Sequence, residues 1–356
     1  MSEVLNFLRK AVEQEASDIF IVAGLKVSAK IGGSIHALDE EVVLTEKANK
    51  LVTEIYELAA RPMERYLAEG DDDFSLSIKG LSRFRISAYK QRNTLAMVIR
   101  IVKFELPNFK ELGIPDEVLT VASKTRGLVL VTGPAGSGKS TTLAYITETI
   151  NESRSAHVIT IEDPIEYLYK NKNSVISQRE VSIDTESHLT ALRACLRQAP
   201  DVILLGEMRD LETIRAAMTA AETGHLVIST LHTVGAVNTI DRIIDVFPPA
   251  QQQQIRVQLS MVLQSVISQQ LIPTLDGKLC PAFEVMHLNS AVRNMIRDSK
   301  IHQIDTVIQS SSSEGMMGMD NSVFELYKKN IISVDMAKKF AYNLDQMERK
   351  IFANRG

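Results

Sequence analysis

The chain has 356 residues, 45% of them apolar and 24% charged, which is long enough for two or three domains and a sizeable core. A net charge of −4 supplies no global basic field and argues against a dedicated nucleic-acid binder. Two widely separated cysteines, Cys195 and Cys280, argue against a disulfide framework or a Cys-rich zinc site and fit a reducing cytoplasm.

The first residues, MSEVLNFLRKAVEQEA, are charged and amphipathic, without the apolar core of a signal peptide. Val4, Leu8 and Val12 share one helical stripe within 3–16. A period-2 pattern follows: 19–22 is an apolar strand, and Val27, Ala29 and Ile31 alternate with Lys26, Ser28 and Lys30. Gly32 and Gly33 then turn the chain into 34–38. Helical spacing returns over 45–60 through Ala48, Leu51, Val52, Ile55 and Ala59. Residues 74–78, 81–89 and 95–102 read as strands, the first two joined at Lys79 and Gly80. Residues 1–102 thus form a small α+β domain. In its second late strand, Arg83, Arg85 and Ser87 face away from Phe84, Ile86 and Ala88. Two arginines on one face read either as a solvated surface or as an edge turned toward an anion.

Residues 103–115 carry two prolines and no clean period, and read as a linker. Strand and helix then alternate: strands at 128–131, 157–162, 202–205 and 225–230, helices at 140–151, 187–198 and 211–221. Near-continuous apolar strands between helices indicate a parallel sheet covered on both faces. This core is assigned to 116–275, and a mainly helical region to 276–356, with helices expected at 251–271, 290–299, 321–329 and 334–350. The longest uncharged stretch, 257–275, holds four Gln and three Ser, so it reads as packed helix and not as a membrane span. Membrane association is expected only through a partner.

The chemistry starts at GLVLVTGPAGSGKSTT, 127–142. The spacing Gly133-x-x-x-x-Gly138-Lys139-Ser140 between an apolar strand and a helix is that of a P-loop. Gly133, Pro134, Ala135, Gly136, Ser137, Gly138, Lys139, Ser140 and Thr141 would wrap phosphate with backbone N–H groups at a helix N-terminus. Lys139 reaches the β- and γ-phosphates, and the Ser140 hydroxyl is placed for Mg²⁺. Two further strands end in carboxylates. One runs into Glu162 and Asp163 before Pro164, and Glu162 suits a general base toward water. The other, 202–205, runs through Gly206 into Glu207. It resembles a Walker B strand with glycine at the usual aspartate position, so the metal role falls to Glu207. Either carboxylate alone reads equally as a helix cap or loop charge; the P-loop on the same sheet favours function. His225 and His232 bracket the strand at 225–230, His232 at the nucleotide end, where it is placed to sense the γ-phosphate. No third ligand stands at zinc spacing. The absence of an N-K-x-D signature favours ATP over GTP.

ITIEDPIEY (159–167), DVILLGEMRDLETIRAAMTAAETGHLVISTLHT (201–233) and GPAGSGKSTT together resemble the ATPases of type II secretion and type IV pili. In that family they are the aspartate box, an atypical Walker B with the histidine box, and the Walker A loop. AVRNMIRD (291–298) is similar to a motif of the pilus-retraction branch, and the chain opens directly on the small domain without a tetracysteine motif. The resemblance implies a PAS-like N-terminal domain, a RecA-like P-loop ATPase domain with a helical C-terminal part, and a Mg²⁺-dependent ATPase built as a homohexamer. It also implies a cytoplasmic motor at the inner face of the cell membrane, partnered by an inner-membrane pilus platform protein and powering retraction. Assembly or secretion by the same engine, or a nucleotide-binding regulator without turnover, are the alternatives. In the family, an arginine face matching SRFRISAY (82–89) approaches ATP, which assigns Arg83 and Arg85 to the site and leaves the role of Arg100 open. KQRNT (90–94), with Arg92, departs from the family's turn, and Ala135 replaces a common threonine.

Overall fold

The computed structural model describes residues 2–102 and 106–354; of the expected linker, residues 103–105 lie outside the described residues. The chain divides into two compact units, Met1–Leu106 with Pro164–Leu168, and Pro107–Asp163 with Tyr169–Gly356.

The first unit runs α1 (Glu3–Glu13), β1 (Asp18–Ile21), β2 (Lys26–Ile31), β3 (Ser34–Val42), α2 (Thr45–Leu58), α3 (Glu64–Glu69), β4 (Asp71–Ile78), β5 (Ser82–Gln91) and β6 (Thr94–Val102). Its six strands form one antiparallel sheet in the order β3-β2-β1-β6-β5-β4. The stripes on α1 and α2 bury Val4, Leu8, Ala48, Leu51, Val52 and Ile55 with Ile19, Phe84, Ile86 and Ile99 of the sheet in one core. The β5–β6 hairpin turns on Arg92 (φ 45°) and Asn93 (φ 62°), both left-handed as a two-residue type I′ turn requires. Arg92 is therefore an exposed turn residue.

The second unit continues with α4 (Asp116–Leu119), β7 (Gly127–Thr132), α5 (Lys139–Ser153), β8 (His157–Glu162), β9 (Val175–Glu180), α6 (His188–Cys195), β10 (Val202–Leu205), α7 (Leu211–Glu222) and β11 (Leu226–Leu231). Next come α8 (Ala236–Asp245), α9 (Pro249–Val262), β12 (Leu263–Pro273) and β13 (Leu279–His287). Five helices close the chain: α10 (Ser290–Arg297), α11 (Ile304–Ser310), α12 (Met319–Lys328), α13 (Val334–Phe340) and α14 (Leu344–Ala353). The sheet order is β13-β12-β7-β11-β10-β8-β9, parallel except for the β12–β13 pair. Alternate residues of each central strand serve opposite faces. Leu128, Leu130, Ile203 and Leu205 pack toward α6–α10, and Val129, Val131, Val202 and Leu204 toward α5. A separate core of Ile272, Met319, Val323, Ile332, Ala337 and Met347 joins α12–α14 to the hairpin. Among the described residues no helix is long and apolar enough to cross a membrane.

The helix expected at 251–271 is corrected. α9 stops at Val262, and Gln264, Ser265, Ser268, Gln269 and Gln270 of the stretch read as packed helix lie in strand β12. Two make specific buried or half-buried bonds there: Ser265 Oγ to His287 Nδ1 at 2.8 Å, and Gln269 Oε1 from Thr142 Oγ1 at 2.7 Å. Pairing with β7 on one side and β13 on the other satisfies the backbone and overrides local spacing. The single helix expected at 334–350 is also two, because Asp320 accepts from the Tyr342 and Asn343 amides and Asn343 caps α14. β9, α3, α4, α8 and α11 were not anticipated as elements, nor was β13, which lies in the region expected to be mainly helical.

One polar lock holds the first unit. Arg61 donates to both oxygens of Asp72 at 2.8 Å, and Tyr56 OH donates to Oδ2 at 3.0 Å. Burial pushes the Asp72 carboxyl up, but the Arg61 and Tyr56 hydrogen bonds outweigh it and hold the group below the usual range. An acid with a depressed folded pKa stabilises fully above its unfolded value, about 3.9, and loses that stabilisation as pH falls through the folded value. Asp72→Asn should destabilise this unit by about 2–4 kcal/mol at pH 7, since it strands the guanidinium. In chemical denaturation, the gap between variant and wild type should narrow below about pH 4.

Candidate nucleotide site

β7 is buried along its whole length and delivers the chain into the glycine loop. Gly133 (φ 143°), Gly136 (φ 75°) and Gly138 (φ 87°) take left-handed backbone. Gly133 is dictated by more than φ: a Cβ there would stand 2.2 Å from the Gln269 carbonyl oxygen on β12. A Cβ on Gly138 would stand 2.9 Å from Gln269 Nε2. Gln269 is 3% exposed and also accepts from Thr142, so one β12 residue braces both ends of the loop. Sequence reading missed it; only the pairing of β12 with β7 marks it. Ser137 is buried within the loop, whereas Pro134, Ala135 and Gly136 are at its surface or near it. Lys139, the first residue of α5, is 9% exposed. Its Nζ donates to Gly133 O at 2.8 Å and Pro134 O at 2.9 Å and lies 3.5 Å from His232 Nδ1.

The neighbouring strands end along the same edge of the sheet. In the order β7, β11, β10, β8 they deliver Lys139, His232, Glu207 and Glu162. His232 stands between the first and third, its Nε2 3.5 Å from Glu207 Oε2. Arg209 NH2 lies 2.6 Å from the other oxygen, Oε1, and the Glu207 side chain is 16% exposed. Glu162 Oε1 accepts from Thr160 Oγ1 at 2.6 Å and from Gln178 Nε2 at 3.3 Å. A cleft of about 460 Å³ beside the row is lined by Glu207, Arg209, Thr230, His232, Thr233 and Arg242. Gly206 is closely packed: a Cβ there would come 3.2 Å from Ile161 O, tighter than ordinary contact, and 3.5 Å from His188 Nε2. Burial holds the His188 imidazole below its ordinary pKa, against the pull of Asp163 and Glu207. His225 belongs to the opposite end of β11, with Nδ1 3.0 Å from Ala220 O at the close of α7.

A phosphate loop, a histidine and two strand-end carboxylates follow one another along one sheet edge, and residues 2–349 match the profile of Type II/IV secretion system proteins. The chain belongs to that family. It is 41% identical over 340 residues to a type IV pilus retraction ATPase, PilT, of Pseudomonas aeruginosa, covering 95% of this chain and 98% of that one. It is 41% identical to a twitching motility protein of Neisseria gonorrhoeae, covering 97% and 92%. A crystal structure of the pilus retraction motor PilT with bound ADP matches with a TM-score of 0.91 at 43% identity, covering 98% of this chain and all of that one. The likeness first read from the sequence boxes therefore extends over nearly the whole chain.

In this family member the arginines named from the sequence lie in the first unit. Arg83 and Arg85 share the β5 face opposite Phe84 and Ile86, and Arg85 pairs across the strands with Arg100. Arg100 Nε donates to Asp18 Oδ1 at 3.0 Å. For a divalent ion, Ser140 and Glu207 offer a hydroxyl and a carboxylate, hard oxygen donors that suit Mg²⁺. Among the described residues no three His, Cys, Asp or Glu side chains gather to hold a metal, so nucleotide phosphates and water would complete its shell.

The brace is testable. Gln269→Ala removes the partner of Thr142 and frees the loop while leaving the strand's backbone pairing intact. Nucleotide affinity, measured by calorimetry, should fall about tenfold, as expected for one lost buried hydrogen bond, with the circular dichroism spectrum unchanged.

Proposed function

We propose that the protein is an ATP-hydrolysing motor that powers type IV pilus retraction. The observation that carries this reading is the row Lys139, His232 and Glu207 on one sheet edge, in a chain 41% identical to PilT over 95% of its length. The loop amides and Lys139 bind and orient the triphosphate, exchanging the lysine's bonds to Gly133 O and Pro134 O for phosphate oxygens. Ser140 and Glu207 hold Mg²⁺, which when bound neutralises charge on the β- and γ-phosphates. Glu162, oriented by Thr160 and Gln178, accepts the proton of the attacking water. His232 sits between the phosphate lysine and the metal carboxylate and reads the γ-phosphate. The family resemblance gives Arg83 and Arg85 a part in turnover as well. The working form is a homohexamer in the cytoplasm, engaged with a platform protein at the inner face of the membrane.

A deletion strain decides the biological direction. Loss of a retraction motor leaves cells with excess, immobile pili, and a Lys139→Ala copy should not restore twitching. Bald cells would make the protein an assembly ATPase, and unaltered pili with no phosphate release by the purified protein would make it a regulator.

The two carboxylates should separate in the ATPase assay. Glu162→Gln should bind Mg-ATP yet lose turnover by about a hundredfold or more, since the amide accepts no proton. Glu207→Gln should show a steeper dependence on Mg²⁺ concentration; equal metal dependence would collapse the division. In the same assay, the Arg83→Ala, Arg85→Ala double variant should turn over more slowly with the first unit still folded.

A further inference from the structure

His188 opens α6, where Ser187 caps the helix by accepting from Thr190 N through Oγ at 3.1 Å. Behind it Ala191, Leu192 and Cys195 pack with Ile159, Ile161 and Ile203 of the sheet in one core. The imidazole Nε2 is fully buried, and among the described residues it has no hydrogen-bond partner. It stands 3.5 Å from the point where a Cβ on Gly206 would be, and the Glu162 Cα lies 3.5 Å from that same point. The Ile161 carbonyl oxygen, 3.2 Å from the point, already accepts from Gly206 N at 2.8 Å. His188 Nε2 thus borders the place where a Walker B strand presents its aspartate to the metal. An apolar ring would fill that place without stranding a buried nitrogen, so the unbonded Nε2 calls for a partner that this arrangement does not supply.

We propose that His188 is a positioning residue for the metal carboxylate: with Mg-nucleotide bound, its Nε2–H donates to Glu207 and fixes which oxygen meets the ion. The proposal rests on the reading of Glu207 as a Mg²⁺ ligand in an ATPase.

Glu207 follows Gly206 directly in the chain, so the backbone that carries it is the one the ring borders. In this structure its oxygens are engaged elsewhere, Oε1 2.6 Å from Arg209 NH2 and Oε2 3.5 Å from His232 Nε2. A carboxylate that gives one oxygen to a metal keeps the other for a donor, and losing such an outer partner costs about 10–100-fold in metal affinity or activity. Burial lowers the imidazole pKa and leaves the ring neutral, with one N–H to give. The charges that act on it are those of Asp163, Glu207, Arg209 and Asp210, all in the segments that follow β8 and β10.

His188→Phe keeps a ring and removes the nitrogen. Calorimetric titration of the ADP-loaded variant with Mg²⁺ should show an affinity weaker by about tenfold or more. ADP binding in EDTA should be unchanged, and the Tm of the ligand-free protein should not fall, because a stranded polar atom has been removed. His188→Gln, whose amide returns a donor near the position of Nε2, should bind Mg²⁺ nearly as the wild type does. Wild-type Mg²⁺ affinity in His188→Phe would overturn the proposal and leave the ring as packing. So would equal losses in the two variants, or a loss of affinity that tracks a fall in Tm. If neither variant folds, the wild type decides. In NMR of protein labelled with 15N-histidine, the His188 Nε2–H signal should move when Mg²⁺ joins the ADP complex and stay in place in Glu207→Ala. A wild-type signal that ignores Mg²⁺, or one that moves equally without Glu207, would overturn the proposal. Wild-type protein that turns over no ATP would sink the ATPase reading, while Mg²⁺ titration of the ADP complex would still judge His188.

Discussion

The approach of β12 to β7 is the contact on which the nucleotide loop depends. At Gly133 the Gln269 carbonyl occupies the place where any side chain would begin, and the Gln269 amide does nearly the same at Gly138. The loop is therefore shaped by a neighbouring backbone as much as by its own glycines. A phosphate cradle made of amides works only if those amides are already aimed, because reorganisation at the moment of binding costs affinity. β12 supplies that preorganisation from one side, and the buried β11 supplies it from the other through register pairing along the full length of β7.

Charge along the sheet edge is arranged with moderate burial. Glu207 keeps some solvent contact and sits between Arg209 and His232, while Lys139 is drawn in against carbonyl oxygens. A partly exposed Arg–Glu pair contributes little to stability, on the order of 0–1 kcal/mol. Its value is directional, since it fixes which oxygen of Glu207 faces the histidine. At Glu162, Thr160 and Gln178 both address Oε1, which orients the carboxylate at the end of β8.

Strand-to-helix alternation, the P-loop and the strand-end carboxylates were legible in the sequence because each is a local pattern. Val202–Leu205 has no residue that a helix would require, and Gly133 to Ser140 is specified by spacing alone. β12 was not legible, because LQSVISQQLIP carries apolar residues at both periods and only its two partners choose between them. Gln269 escaped for a related reason. Its hydrogen-bond partner Thr142 lies 127 residues away in the chain, so nothing near it in sequence announces a role. The break between α13 and α14 was hidden likewise, since Asp320 makes it from another helix.

Gly206 has a consequence for how this site can change over generations. A Cβ there would meet the Ile161 carbonyl oxygen at 3.2 Å and the Glu162 Cα at 3.5 Å, both on β8. Any side chain at this strand end therefore asks the neighbouring strand to give by a few tenths of an ångström. The backbone that would have to give is the one that carries Glu162. A substitution at the end of β10 would thus be felt at the carboxylate of the adjacent strand, and the two positions cannot vary independently.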